Sequence, residues 1–403
     1  MEPPSCEGGK WPALAERETL TDNWFSLGER LADSGIAVRL SLTQVYQINL
    51  SGGLATHRRA GRHTGSYDLE VDLDLEKLLN IPGGSIYVNA EGSWSDGLDE
   101  SSVGSVFGVN GDASGCRAID LAELWYEQAM LAGRLRVRIG KLDLTGGFEH
   151  RGCPVAFDCN AFANDESSQF LNGALVNNPT IPFPDKGLGV MVYYNPLAGW
   201  YVSAGCADAQ ADVRETGFNT AFHDGDYFFG IFETGIVGRL PSSNGVLVGA
   251  YRAGLWYDPQ PKEHFDSGRI KRDDVGFYLS FDQMAWKENA DAEDTQGLGL
   301  FARYGLAHKE VNEVSCFWSI GAQYQGLIST RDDDVLGFGI ARGRLSGDAG
   351  FTADCETVLE LYYNIAVSPW LSLAPSLQYV CNPGAEPDAD DAVVMGFRCM
   401  MSL

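Results

Sequence analysis

The sequence predicts an all-β protein, a closed antiparallel transmembrane β-barrel of about 16 strands behind a short N-terminal helical segment. The first observation is the run YDLEVDLDLE at 67–76. Tyr67, Leu69, Val71, Leu73 and Leu75 fall on one parity, and Asp68, Glu70, Asp72, Asp74 and Glu76 on the other. Successive strand side chains point to opposite faces, so this run has an apolar face and a column of carboxylates. The second observation is repetition, since similar alternation continues in short segments from residue 36 to residue 403. The third is what the chain lacks: fully apolar central strands, or helices to cover the apolar faces, as a soluble sandwich would require. In a closed barrel lipid covers the outer face and water fills the polar lumen.

A chain of 403 residues ordinarily divides into two or three domains, but no Ser/Pro tract or composition break offers a linker. The expectation is an N-terminal plug or periplasmic segment, 1–35, and one barrel, 36–403. No run of 18 apolar residues exists, which excludes a transmembrane helix, and a mean hydropathy of -0.14 suits strands that are half polar. The 55 acids and 29 bases leave a formal charge of -26, which argues against nucleic acid as a partner, because phosphate binding needs clustered Lys and Arg. The nine cysteines form no CxxC frame. Cys153 and Cys159 share a long loop and would bridge in an exported protein; the other reading is two unrelated thiols. MEPPSCEGGK has neither the basic nor the apolar region of a signal peptide, so the chain reads as cytosolic or as a mature form with an added Met.

In chain order, WFSLGERLADSG reads as an amphipathic helix with Asp22 or Asn23 as N-cap and Gly35 at its end. Alternating runs follow at about 36–50, 67–76, 85–94, 121–130 and 134–141, the last setting Arg134, Arg136 and Arg138 against Leu135, Val137 and Ile139. The segment 143–185 is the longest without alternation, and a loop of that length inside one domain is usually functional. It is read as folding inward to narrow the lumen, against the alternative of a surface loop. Eleven more runs occupy 187–194, 200–207, 227–239, 246–257, 275–286, 298–306, 316–326, 335–342, 356–366, 370–381 and 393–403. An even count puts both termini at one end.

Several segments together resemble the carbohydrate-selective porins of the OprB type: ELWYEQ at 123–128, GRLRVRIGKL at 133–142, GLGLFARYG at 297–305, DDVLGFGIAR at 333–342, ETVLELYYN with SPWLSLAPSLQYVCNPG, and the closing DDAVVMGFR. GERLADSGI and DLDLEKL fit as well, so the similarity runs from about Trp24 onward. The resemblance implies a channel of the bacterial outer membrane, its signal peptide already removed, through which small neutral sugars diffuse passively. It implies lipid as the surrounding partner and no cofactor, and leaves the choice between monomer and homo-oligomer open. Such barrels commonly end in an aromatic residue; here the last residue is Leu403.

Inward parity defines the candidate pore lining: Arg39, Asp68, Glu70, Asp72, Asp74, Tyr87, Glu91, Glu123, Trp125, Glu127, Arg134, Arg136, Arg138, Arg252, Trp256 and Arg303. Arg offers a planar fork of donors and carboxylates accept from hydroxyls, so mixed columns suit a neutral polyol better than an ion. Tyr87, Trp125, Trp256 and Phe301 would offer flat apolar faces to a sugar ring. The competing reading is that the Arg and acid columns neutralise each other and hold the barrel open. No metal cage is expected, because carboxylates two residues apart on a strand stand about 7 Å apart.

Other classes fare less well. An enzyme built on a barrel needs a nucleophile beside a base, yet the six histidines fall in loops or turns and there is no GxSxG elbow. No catalytic residue is assigned. A general porin with weak cation preference and a structural barrel with a plugged lumen share the architecture. Cys206, Cys316, Cys381 and Cys399 fall on the lipid-facing parity with no assigned role.

Overall fold

The computed structural model describes residues 13–25, 27–57, 60–145, 156–216, 225–291, 294–386 and 389–403. Sixteen strands close into one ring: β1 (Ile36–Gly53), β2 (Gly61–Asp74), β3 (Gly84–Trp94), β4 (Arg117–Met130), β5 (Leu135–Leu142), β6 (Gly187–Leu197), β7 (Trp200–Asp208), β8 (Phe228–Ser242), β9 (Gly245–Asp258), β10 (Asp274–Lys287), β11 (Gly297–Leu306), β12 (Val314–Gln325), β13 (Val335–Leu345), β14 (Cys355–Ser368), β15 (Leu371–Cys381) and β16 (Asp390–Ser402). Each pairs with its neighbours in sequence, and β1 pairs with β16, from Ser41 opposite Ser402 to Gly53 opposite Asp390, to close the ring. The strand count matches the alternation. A small ribbon, Lys262–Glu263 against Ile270–Lys271, forms a separate sheet in the connection between β9 and β10.

The alternation explains the wall. Ile139, Ile236, Leu255 and Ile320 point outward, each more than half exposed, while Arg138, Glu233, Arg252 and Ser319 on the same strands point inward and are nearly fully buried. Closure pairs the backbone groups, which hydrocarbon would leave unmet. Connections alternate between short turns at one end and longer loops at the other.

Before the barrel, helix α1 (Leu27–Ser34) ends at Gly35, whose φ of 98° reverses the chain. It begins later than the sequence implied, because Asp22–Phe25 form a left-handed turn with φ of 55°, 51°, 56° and 60°. Neither Asp22 nor Asn23 is its N-cap. The N-terminal segment lies along the short-turn end. There Leu20 N donates to Ser402 O (2.9 Å), Trp370 Nε1 to Leu14 O (2.7 Å) and Lys77 Nζ to Ala32 O (3.0 Å).

Two expected pore residues lie elsewhere. Strand β2 stops at Asp74, because LEKLL forms helix α2 (Leu75–Leu79); the Asp74 carboxylate caps it, accepting from Glu76 N (3.0 Å) and Lys77 N (3.2 Å). Arg134 belongs to a turn in which Leu131, Ala132 and Gly133 all have positive φ. Its exposed guanidinium donates to the next turn, at Asn195 O (3.0 Å) and Pro196 O. Cys153 lies outside the described residues, and with it the question of a bridge to Cys159.

Glycine makes room for rings inside the wall. The Trp256 indole lies over Gly276, where an added Cβ would sit 2.2 Å from it, and Tyr278 lies over Gly254 in the same way at 2.1 Å. Gly276→Val is therefore expected to cost about 1–3 kcal/mol by overpacking, read as a lower urea midpoint in detergent. Gly230, where an added Cβ meets nothing within 4 Å, should accept the same change without that loss.

Candidate functional site: a narrowed lumen

Inward-facing charges first explain where the longer loops go. Residues 156–186 meet the wall through Glu360, which accepts from Leu171 N and Asn172 N (both 2.9 Å), and Glu233, which accepts from Asp158 N (2.9 Å). Glu233 is itself oriented by Tyr201 (2.5 Å) and Tyr278 (2.8 Å). Arg303 donates to Asp158 O (3.1 Å) and Leu175 O (2.9 Å), and Arg398 to Glu166 O (2.8 Å). Within the loop the short helix α3 (Gly173–Val176) is capped by Asn172 Oδ1. Residues 95–116 are held similarly. Glu356 accepts from Ser105 Oγ (2.5 Å) and Val106 N (3.0 Å), and Val109 O accepts from both Gln47 and Gln378 (2.8 Å each). The two loops join where Gly111 N donates to Leu171 O (2.7 Å).

Between the loops and β2–β4 lies a polar cavity of about 270 Å³. The wall contributes Ser66, Asp68, Glu91, Ser93 and Arg117, the first loop Asp112 and Ser114, and the second Glu166, Asp185 and Lys186. Lys186 is bonded to Glu91, and Ser66 Oγ to Asp112 Oδ1 (2.5 Å). Burial pushes the Asp112 and Glu166 carboxyls each up to about 7. Burial opposes the Lys186 ammonium, yet Asp143 and Glu91 outweigh it and raise its pKa above the ordinary range.

The expected lining residues divide into two groups. On β1–β5, Arg39 binds Glu70 (2.9 Å) and Asp72 (2.8 Å), while Arg136 and Arg138 share Glu127 at 2.8 and 3.0 Å. Arg138 lies 3.8 Å over Trp125, which stacks on Tyr87 at 4.9 Å and donates to Glu123 (3.0 Å). Asp68, beside Asn89 at 3.5 Å, and Glu91 reach the cavity. On β9 and β11 the rest support structure. Arg252 pairs with Asp282 at 2.6 Å, Trp256 stacks near Phe229, and Arg303 holds the loop. Tyr87, Trp125, Trp256 and Phe301 are 7%, 1%, 1% and 2% exposed, so as platforms for a ring they are largely covered. Sequence reasoning did not pick out Glu233, Glu356, Glu360, Asp112, Glu166 or Lys186. For the wall acids the available signal was carboxylates on the inward parity, as with Glu356 and Glu360 in ETVLELYYN.

A closed barrel with an apolar outer wall and a charged inner face to which its own loops are bonded defines an outer-membrane channel of porin architecture. The family model described as "Carbohydrate-selective porin, OprB family" matches residues 58–403, and the chain belongs to that family. Its location is the bacterial outer membrane, and its family and relatives are channels rather than enzymes. Porin B of Pseudomonas aeruginosa is 24% identical over 93% of this chain and 89% of its own length. Porin AaxA of Chlamydia trachomatis is 24% identical over 62% of this chain and 50% of its own. The high-pH structure of Pseudomonas putida OprB superposes with a TM-score of 0.81 at 22% identity, covering 97% of this chain and all of that one, and so supports the fold.

Glu360→Ala removes the acceptor for two loop N–H groups, each costing about 1–3 kcal/mol when left buried and unmet. Single-channel conductance should rise while the barrel itself stays folded; unchanged conductance would show that the loop is held without this carboxylate. Separately, Asp112 and Glu166 take up protons as pH falls through about 7, so the cavity becomes less negative. The cation-to-anion permeability ratio, read from reversal potentials in a KCl gradient, should fall between about pH 8 and 6. Asp112→Asn should lower the ratio at the alkaline end and flatten the profile.

Proposed function

We propose that the barrel is a passive channel for small neutral carbohydrates, with the cavity beside β2–β4 as its selecting aperture. The observation that carries this reading is its lining: every side chain there is a hydroxyl, a carboxylate or a cation, and the remaining lining residues are glycines. Asp68, Glu91, Asp112, Glu166 and Asp185 supply acceptors for sugar hydroxyls, and Lys186 and Arg117 supply donors to ring and hydroxyl oxygens. Arg39, Arg136 and Arg138, with Glu70, Asp72 and Glu127, continue a polar path from the aperture to the short-turn end. Selection in this reading is by hydrogen bonding and size rather than by stacking, given how little of the four aromatic rings is exposed.

Five carboxylates against two cations favour a second reading, a general channel with cation preference. Swelling of liposomes containing the purified protein separates the two. Glucose should enter faster than an amino acid of similar size, and gluconate more slowly than either; Asp112→Asn with Glu166→Gln should narrow the gap between glucose and gluconate. Equal entry of glucose, the amino acid and a salt would establish a general porin. No entry at all would mean that the two loops plug the lumen.

A further inference from the structure

On β8–β11 the inward face carries apolar side chains that stay exposed. Val246 and Val248 share the inward parity of Arg252, yet they are 48% and 46% exposed where Arg252 is 2%. Strand register shows what stands beside them. Arg239 lies opposite Val248, and Ala250 opposite Asp282, so Met284, the next inward residue after Asp282, falls in the row of Arg239 and Val248. Gly299, opposite Met284, ends the row on β11. Three strand spacings make it about 14 Å long.

The inward-folded loop fills the place that Gly299 leaves. The Phe162 ring lies over this glycine, where an added Cβ would sit 2.3 Å from it. Asn160 fixes the loop here by donating to Phe281 O (2.7 Å), and Ala161 N donates to Asp282 (3.4 Å). Phe162 is half-buried, unlike the covered rings of Trp125 and Trp256. These side chains bound a hollow of about 500 Å³, bordered at the short-turn end by Ala290, Asp294 and Thr295 from the connection between β10 and β11. It stands nearly across the ring from the polar cavity beside β2–β4.

The charges around the hollow are balanced, Arg239 and Lys287 against Asp282 and Asp294. Asp282 is paired with Arg252 at 2.6 Å, Lys287 donates to Asp291 O (2.8 Å), and Asp294 accepts from Gln296 N (2.8 Å). The Arg239 guanidinium is exposed and has no hydrogen bond or ion pair among the described residues. An apolar floor with a few converging polar groups is the usual form of a small-molecule site. A pyranose matches it: its C–H face can lie on Phe162, Met284 and Val248, and its rim of hydroxyls can reach Arg239, Asp282 and Lys287. An ion gains nothing from the valines, and an acyclic polyol has the hydroxyls without a fixed C–H face. Longer loops face the exterior in such barrels, so the short-turn end opens to the periplasm. We propose that this hollow is a second carbohydrate site, on the periplasmic side of the loop, that binds a pyranose by its C–H face. It rests on the carbohydrate reading above for the class of ligand, and differs from the polar cavity in selecting a ring over an open chain.

The test reads the hollow directly. In the purified barrel, with methyl-labelled methionine in detergent, the Met284 methyl resonance is assigned through Met284→Leu and followed by NMR during titration with glucose or glucitol. Glucose should shift it saturably, and glucitol at the same concentrations should leave it nearly in place. Phe162→Ser and, separately, Val248→Asn should each weaken the apparent glucose affinity by about threefold or more. Val248 belongs to the strand wall, so its variant, checked for an unchanged thermal midpoint, decides the matter even where Phe162→Ser loosens the loop. A Met284 resonance that does not move, one that moves equally with glucitol, or an undiminished affinity in Val248→Asn overturns the proposal. Glucose-selective swelling of liposomes beside a silent Met284 removes this site and leaves the reading of the polar cavity standing, so the two fail separately.

Discussion

The structure depends on one constraint: a backbone N–H or C=O shielded from water must find a partner. On the lipid side the closed ring meets it, with β1 against β16 as the last seam. Inside, the described parts of two long loops with little regular structure pack against the wall and bury their amides, which need acceptors that no strand ladder provides. Glu233, Glu356 and Glu360 are those acceptors, each fixed on a rigid strand and each taking two or more donors. Arg303 and Arg398 do the converse for loop carbonyls. Charge-assisted bonds of this kind are roughly twice as strong as neutral ones, which lets a few side chains hold a long irregular segment.

That use of charge divides the lumen. Acids on β8 and β14 are committed to loop amides, and Glu127 to two arginines, so their oxygens are not free to accept from a solute. Carboxylates on β2 and β3 reach the polar cavity instead, where the loops bring further acids and Lys186 towards them. The formal charge of -26 is therefore a poor guide to selectivity. In the proposed reading, selectivity follows from the acids that remain after the loops have been secured.

The fold was legible in the sequence because alternation is local: period two sorts residues into inward and outward sets without knowledge of any partner. Outward Leu255 and inward Arg252 were separable on that basis alone. Alternation carries no axial coordinate, however. Asp68 and Asp74 share a parity, yet one reaches the polar cavity and the other caps a helix at the barrel's end, because LEKLL favours a helix over more strand. Arg134 was misplaced for a similar reason, since three positive φ values before it make it part of a turn. Nor does parity distinguish a side chain that meets solute from one that meets a loop, which is why Arg303 and Trp256 read as pore lining. Asp112, Glu166 and Lys186 lie in segments with no periodicity, and only the folded path of those loops brings them to Glu91.

If the polar cavity is the aperture proposed above, its lining suits transit better than capture. A sugar entering it gives up hydrogen bonds to water and regains them from carboxylates, hydroxyls and two cations, an exchange whose net gain per bond is only about 0.5–1.5 kcal/mol. Apolar walls would offer nothing in return for the lost hydration and would stop the solute outright. A deep pocket of stacked aromatic rings would add dispersion and retain it. Here the larger rings are largely covered, packed against loops and each other, and the polar cavity is left with partners that can be traded for water at either end. In that reading a hydroxyl-rich neutral solute can make the trade, whereas an anion would also meet five carboxylates with only Lys186 and Arg117 to offset them.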